Sequence, residues 1–337
     1  MSVEITAKAF ARVGLIGNPS DGYFGKTISF VFRNFFAEVR LHQTPTLEIV
    51  GNERDRSIFR SMEDLSDDVS RYGYYGGIRL LKATVKRFFE YCSHHQIPLE
   101  NKNFTLHYRS NIPHRVGLAG SSAIITACLR TIIDYYGVSI PKPEMADLIL
   151  KVETDELGIS AGLQDRVIQV YEGLVFMDFD RQIMAEKGHG LYQYLDVKGL
   201  PPLYIAYLED ASEGSEVFHN NIRERFDRGE KKVVDAMKYW SDLTVQARTC
   251  LEQNMPEELG DLINRNFDMR RSIYQISQKN LQLVDAARST GATAKFTGSG
   301  GAIVGTYRNE KMYDALVETL TPLGICVLKP DIQPEKR

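Results

Sequence analysis

Apolar residues along the chain follow two periods, and the change from one to the other marks its elements. Residues 3–7 and 11–16 read as two short strands, closed by the dense turn signal Gly17-Asn18-Pro19-Ser20-Asp21-Gly22. Residues 26–41 alternate in a β-rich run (Ile28, Phe30, Phe32, Phe35, Val39) that 47–50 continue. Over 74–95 the period turns helical, with Ile78, Leu81, Val85, Phe88 and Phe89 on one side. A strand at 104–108 leads into residues 112–129. That stretch opens as a loop, because Pro113 has no backbone donor and biases its predecessor away from helix. It closes as a helix, since Ala123, Ile124, Ala127, Cys128, Thr131 and Ile132 recur at helical spacing. A further helix is expected from Pro141-Lys142-Pro143-Glu144 towards Glu156, then a loop over 158–165. An antiparallel strand pair follows at 167–171 and 173–178.

The texture changes near Gly199-Leu200-Pro201-Pro202, which predicts domains of 1–199 and 200–337. Beyond that point a strand at 203–208 precedes helices at 215–227, 230–253, 256–277 and 280–290. A strand at 292–297, a glycine loop at 298–301 and a strand, helix, strand unit complete the chain. Strands and helices mixed without a doubly wound pattern predict α+β in both halves.

Composition narrows the class. The 337 residues are too many for one ordinary core, and 43% hydrophobic with 25% charged reads as soluble and globular. A net charge of -3 offers no basic field to nucleic acid or an anionic membrane. No apolar run approaches the roughly 20 residues that span a bilayer, and no signal-peptide core opens the chain. Cys92, Cys128, Cys250 and Cys326 have no paired spacing and read as buried thiols in a reducing cytoplasm. His94-His95 reads as a solvated helix end, and the acidic run Glu63, Asp64, Asp67, Asp68 as a solvated face.

Three glycine-rich turns stand far apart, at 17–25, 117–122 and 298–301. None has the P-loop ending or the dinucleotide-fold spacing, and nothing in the sequence brings them together. Gly117, Gly120, Ser121 and Ser122 leave backbone N–H groups uncovered where a helix begins, a place that attracts anions. Taken alone the stretch reads equally as a serine-capped helix and as a phosphate cradle. Phosphoryl transfer needs Mg²⁺ held by hard oxygens, an offsetting positive group and a carboxylate near the attacking hydroxyl. Ser122 and Glu153 would suit the metal, and Asp165 the hydroxyl. The ordinary explanation of Glu153, Asp155 and Glu156 is an acidic helix terminus in water. Asp165 lies among Leu163, Val167 and Ile168, where an unpaired carboxylate is costly. Arg12, at the edge of an apolar strand, is either a surface residue or, close to Asp165, the cation that keeps it ionised. Arg270-Arg271 is a solvated helix face or a second basic pair.

These residues resemble the GHMP kinases, the family of galactokinase, homoserine kinase, mevalonate kinase and phosphomevalonate kinase. Residues 112–123 are similar to the family's ATP phosphate loop, 295–301 (Lys-Phe-Thr-Gly-Ser-Gly-Gly) to its third motif, and 12–21 to its first. The likeness runs over nearly the whole chain. One departure is Gly-Leu-Ala-Gly-Ser-Ser, one residue longer than the family's usual Gly-Leu-x-Ser-Ser. Within the family, residues 12–25, 117–124, 161–167, 266–271 and 295–302 are similar to the plant-type glucuronokinases.

What the resemblance implies is an ATP-dependent sugar-1-kinase acting on D-glucuronate, with two α+β domains and the active site in the cleft between them. By carry-over, Asp165 is the catalytic carboxylate and Arg12 its positive partner, while Ser122 and Glu153 hold Mg²⁺. Pro113, Gly117, Leu118, Ala119, Gly120, Ser121, Ser122 and Ala123 surround the ATP phosphates. Asp21, Gly22, Tyr23, Thr297, Gly298, Ser299 and Gly300 fall to the substrate. Arg166, Arg270 and Arg271 are the arginines offered to a sugar carboxylate. A heptose-phosphate kinase, a kinase for another uronic acid and a non-catalytic sugar-binding regulator of the same fold stay open. Expected partners are ATP and a small sugar acid, with no nucleic acid and no membrane, in the cytoplasm; the sequence assigns no oligomeric state.

Overall fold

The computed structural model of the protein describes residues 4–51, 55, 76–208 and 219–335. The acidic run at Glu63, Asp64, Asp67 and Asp68 lies outside them, as do residues 215–218 of the helix expected from 215. In chain order the strands and helices are β1 (Glu4–Ile16), β2 (Lys26–Thr44), β3 (Glu48–Val50), α1 (Gly77–His94), β4 (Asn103–Ser110), α2 (Gly120–Tyr136), α3 (Lys142–Lys151) and α4 (Leu163–Tyr171). Then come β5 (Leu174–Asp178), α5 (Arg181–Lys187), β6 (Leu191–Leu195), β7 (Leu203–Leu208), α6 (His219–Asp227), α7 (Lys231–Glu252), α8 (Leu259–Ile273) and α9 (Gln278–Ser289). The last are β8 (Lys295–Phe296), β9 (Ala302–Thr306), α10 (Glu310–Leu320) and β10 (Ile325–Leu328).

The chain forms two compact units, each assembled from separated stretches. One comprises Met1–Ala11, Phe35–Ile112 and Ala119–Val170, the other Arg12–Asn34, Pro113–Leu118 and Tyr171–Arg337. The change of texture near Gly199 falls inside the second. A strand such as β2 contributes to both units, and composition along the chain does not register that.

In the first unit β2 pairs antiparallel with β4 over Ala37–Thr44, and β3 pairs parallel with β4. Helices α1 and α2 supply the apolar layer, with Leu80, Leu81, Phe88, Ile125, Leu129 and Ile132 buried. His94 and His95 end α1 exposed, as the sequence implies. In the second unit the start of β2 pairs antiparallel with β5, and β5 with β6. A four-stranded sheet in the order β10-β7-β9-β8 carries a core of Tyr204, Phe267, Leu283, Phe296, Ile303 and Leu316, drawn from strands and helices together.

Two expectations are corrected. The strands at 3–7 and 11–16 are one, β1, half-buried at its start and buried throughout from Ala11. Residues 167–171 are helix, not strand. Val167, Ile168 and Val170 fit either period, but Leu163 to Arg166 extend them into a nine-residue helix whose inner face is buried. Among the described residues no helix is long and apolar enough to cross a membrane. The four cysteines are free thiols, with Cys92, Cys128 and Cys250 buried.

Candidate active site

Within the second unit the first and third glycine turns meet Gly117 and Leu118 of the second. At the end of β1 the Arg12 amide donates to Leu118 O at 3.1 Å and the Gly14 amide to Thr297 O at 2.8 Å. The Arg12 guanidinium donates from Nη1 to Gly117 O (3.1 Å) and Thr297 O (2.6 Å), and Thr297 Oγ1 also reaches Gly117 O at 3.1 Å. Gly117 is required here: its φ is +70°, and a Cβ would stand 2.7 Å from Gly300 O.

Lys295, 2% exposed, anchors the first turn to the third. Its Nζ donates to Gly14 O and Asn18 Oδ1 at 2.6 Å each and to Phe296 O at 2.7 Å. Burial drives its amino group well below the usual lysine range, and repulsion from Arg270 and Arg12 adds to that. From the other side α8 braces the same turn. Asn266 Oδ1 accepts from the Gly17 amide at 2.7 Å, its Nδ2 donates to Asn18 O at 3.2 Å, and Trp240 Nε1 donates to Asn266 O at 3.0 Å.

Successive helical positions lie about 100° apart, and α8 divides its arginine pair accordingly. Arg270 is buried and donates to Gly298 O (2.7 Å) and Ser299 O (3.2 Å), with its guanidinium over the Tyr274 and Phe296 rings. Burial lowers its affinity for the proton. Arg271 is exposed, 3.5 Å from Asp285. The candidate sugar residues Asp21, Gly22 and Tyr23 lie on a single 3₁₀ turn, Ser20–Tyr23. Burial raises the Tyr23 phenol, and Arg223 opposes that. Asn266, Lys295, Tyr274 and Arg223 were not singled out by sequence reasoning. Asn266 and Lys295 each open a phrase of the resemblance, but neither burial nor a backbone partner can be read from a residue type.

The first unit holds the other candidates. The cap of α2 is Ala119 in the left-handed region at φ 61°, with no side-chain capping bond. The serine-capped reading is thereby corrected: Ser122 sits inside the first turn, 1% exposed, and its hydroxyl donates back to Ala119 O at 3.2 Å. Gln169 Nε2 reaches the same carbonyl at 2.9 Å.

After α3 the helix widens into a π turn over Val152–Glu156, which sorts its acids. Glu153 faces inward and is 2% exposed. Asp155 and Glu156 face out, to Arg87 at 2.7 Å and Lys86 at 2.8 Å. An acidic terminus in water describes Asp155, not Glu153, while Glu156 is half-buried against Lys86 and Arg87. Arg166 donates from Nε to Glu153 Oε2 at 2.7 Å, adds a second bond from Nη2, and reaches Gly162 O at 2.8 Å from Nη1. Burial pushes the Glu153 carboxyl up, and the Arg166 charge opposes it. Asp165 stands in the first turn of α4, not in a loop, at the end of a helix dipole that favours negative charge. Its Oδ2 lies 3.5 Å from Arg166 Nη1.

Among the described residues no group of three or more His, Cys, Asp and Glu could cage a metal. Glu153 Oε1 carries no hydrogen bond among the described residues, and with the Ser122 hydroxyl it offers the hard donors Mg²⁺ prefers.

Comparison with known proteins follows the same residues. The family description "GHMP kinases N terminal domain" matches residues 79–173. Glucuronokinase 1 of Arabidopsis thaliana is 43% identical over 308 residues, 90% of this chain and 85% of its own length. Probable glucuronokinase 2 of the same plant is 45% identical over 304 residues, 88% of this chain and 82% of its own. Lactococcus lactis galactokinase complexed with galactose has the same fold, with a TM-score of 0.75 at 14% identity, covering 98% of this chain and 94% of that one.

Proposed function

The chain belongs to the GHMP kinases, and from that premise we propose that it transfers the γ-phosphoryl group of ATP to the anomeric hydroxyl of D-glucuronate. The product is 1-phospho-D-glucuronate. The observation that carries this reading is the likeness to two glucuronokinases, which spans 90% and 88% of the chain.

Roles follow from the chemistry each residue offers. The N–H groups and dipole at the start of α2, with residues 113–123, receive the ATP phosphates. Ser122 and Glu153 hold Mg²⁺, which when bound screens charge on the transferred group. Arg166, on the other oxygen of Glu153, keeps that carboxylate oriented. Asp165 accepts the proton of the attacking hydroxyl, and the helix start beneath it supports its charged form. Arg12 and the loop Thr297 to Gly300 fix the backbone beside the phosphate acceptor, and the turn bearing Asp21, Gly22 and Tyr23 takes the sugar hydroxyls. The reaction belongs in the cytoplasm.

Release of ADP from Mg-ATP, measured across uronic acids, neutral sugars, sugar phosphates and mevalonate, tests the proposal. Glucuronate should give the highest kcat/KM, and preference for a sugar phosphate or mevalonate would overturn it. Asp165→Asn should retain its circular dichroism and melting transition yet lose about two to four orders of magnitude in kcat. Near-normal turnover would remove Asp165 from the mechanism.

A further inference from the structure

The turn that carries Asp21, Gly22 and Tyr23 is met by a cation that sequence reasoning does not reach. Arg223, on α6, donates from Nη2 to Gly22 O at 3.0 Å, and its guanidinium carbon lies 4.8 Å from the Tyr23 ring centroid. Phe226 meets the same ring edge-on at 4.9 Å. Residues three apart on a helix share a face, so one side of α6 grips Tyr23 with both side chains. The remaining described partner of Arg223 is Asp227, 3.8 Å away, with the two side chains 50% and 60% exposed. A pair so exposed is worth little in water and yields readily to a better anion.

The three arginines that the sequence offers to a sugar carboxylate are placed differently. Arg166 is buried on Glu153 and Gly162, and Arg270 is buried on the Gly298 and Ser299 carbonyls. Arg271 is exposed beside Asp285.

We infer that Arg223 is the specificity-determining residue that receives the carboxylate of the acid sugar, an inference that rests on the uronate-kinase reading above. Its Gly22 bond engages one N–H of Nη2, and the Tyr23 ring supports the guanidinium plane, leaving the second Nη2 N–H to form a two-pronged edge with Nε or Nη1 for a bidentate carboxylate. The carboxylate of a uronic acid is carried on C5, on the far side of the ring oxygen from the anomeric carbon and outside the bonds that phosphoryl transfer makes and breaks. The residue that reads it therefore belongs on the sugar turn rather than among the groups that meet phosphate. A neutral hexose has no anion to offer and gains nothing from this contact.

The test is steady-state kinetics of Arg223→Ala and Arg223→Gln, with Arg228→Ala as a control in the exposed turn just after the same helix, varying D-glucuronate, D-glucose and ATP. Loss of one charge-assisted pair should raise KM for glucuronate about ten- to a hundredfold in both Arg223 variants. KM for ATP and kcat/KM for glucose should stay within about twofold of wild type, as should every constant of the control. Glutamine can still donate to Gly22 but carries no charge. A wild-type KM for glucuronate in Arg223→Gln would assign the residue to holding the turn alone, and an unchanged KM in Arg223→Ala would dismiss it altogether; either result overturns the inference. Failure of the unaltered enzyme to phosphorylate glucuronate would overturn the underlying function with it, a separate and recognisable outcome.

Discussion

Buried positive charge is handled in two ways in this molecule. In the first unit Arg166 is matched by Glu153, carboxylate against guanidinium, and the pair is close to neutral. In the second, Lys295 and Arg270 are buried on carbonyl and amide oxygens. Arg12 is bonded to Gly117 O and Thr297 O beside them. A carbonyl satisfies a donor but cancels no charge. The first arrangement fixes shape, whereas the second also keeps a positive field, with mutual repulsion among Lys295, Arg270 and Arg12 stored in it. An anion such as phosphate bound there would relieve that repulsion.

The largest effect should come from cutting the matched pair. Arg166→Met leaves Glu153 as an uncompensated buried charge and should cost about 3–5 kcal/mol in urea unfolding. Adding Glu153→Leu should recover most of that loss, since an apolar pair can replace a buried ion pair. A double variant no more stable than the single one would break the contrast. Lys295→Met should cost less, about 1–3 kcal/mol, by leaving Gly14 O, Asn18 Oδ1 and Phe296 O without their donor. Lys295 has no acidic partner among the described residues, so Asn18→Leu added to it should rescue only a minor part.

The smallest and sharpest difference is in pH dependence. Burial raises the Glu153 carboxyl above its ordinary 4.5, so the folded chain binds that proton more tightly than the unfolded one. Its contribution to stability is therefore present below pH 4.5 and declines as the pH rises through the folded value. For Lys295 the folded value falls well below 10.5, so the unfolded chain binds the proton more tightly, and stability is lost as the pH falls below 10.5. Glu153→Gln should flatten the stability curve just above the first value, and Lys295→Met just below the second. Urea midpoints across both ranges measure this, and slopes that do not respond would dissociate each residue from its window.

Much of the fold was legible because its periods are strong. The helix read at 74–95 is α1, Gly77–His94, and the alternating run from Lys26 is β2. The error at 167–171 arose where β-branched residues fit both periods, and only the preceding residues decide between them. For the site, residue types located the turns, while their meeting depends on backbone carbonyls that no side-chain pattern records. Arg12 was expected to matter, yet its bonds to Gly117 O and Thr297 O are set by the path of the chain. Arg270 and Arg271 are identical as letters, and helical phase alone separates the buried one from the exposed one.

Phase also governs the π turn at Val152–Glu156. A π turn is the trace of one residue inserted into an α-helix, and here the widened turn sends Glu153 inward while Asp155 and Glu156 go to Lys86 and Arg87. The reading frame of that helix is thus a three-dimensional property, and a deletion of one codon is its natural mutation. Removing Thr154 would restore ordinary winding and turn every later residue about 100° around the axis. Asp155 and Glu156 would leave the faces that meet Arg87 and Lys86 while Glu153, which precedes the deletion, keeps its own, so a sequence comparison scoring only residue identity would rate such a variant as nearly unaltered.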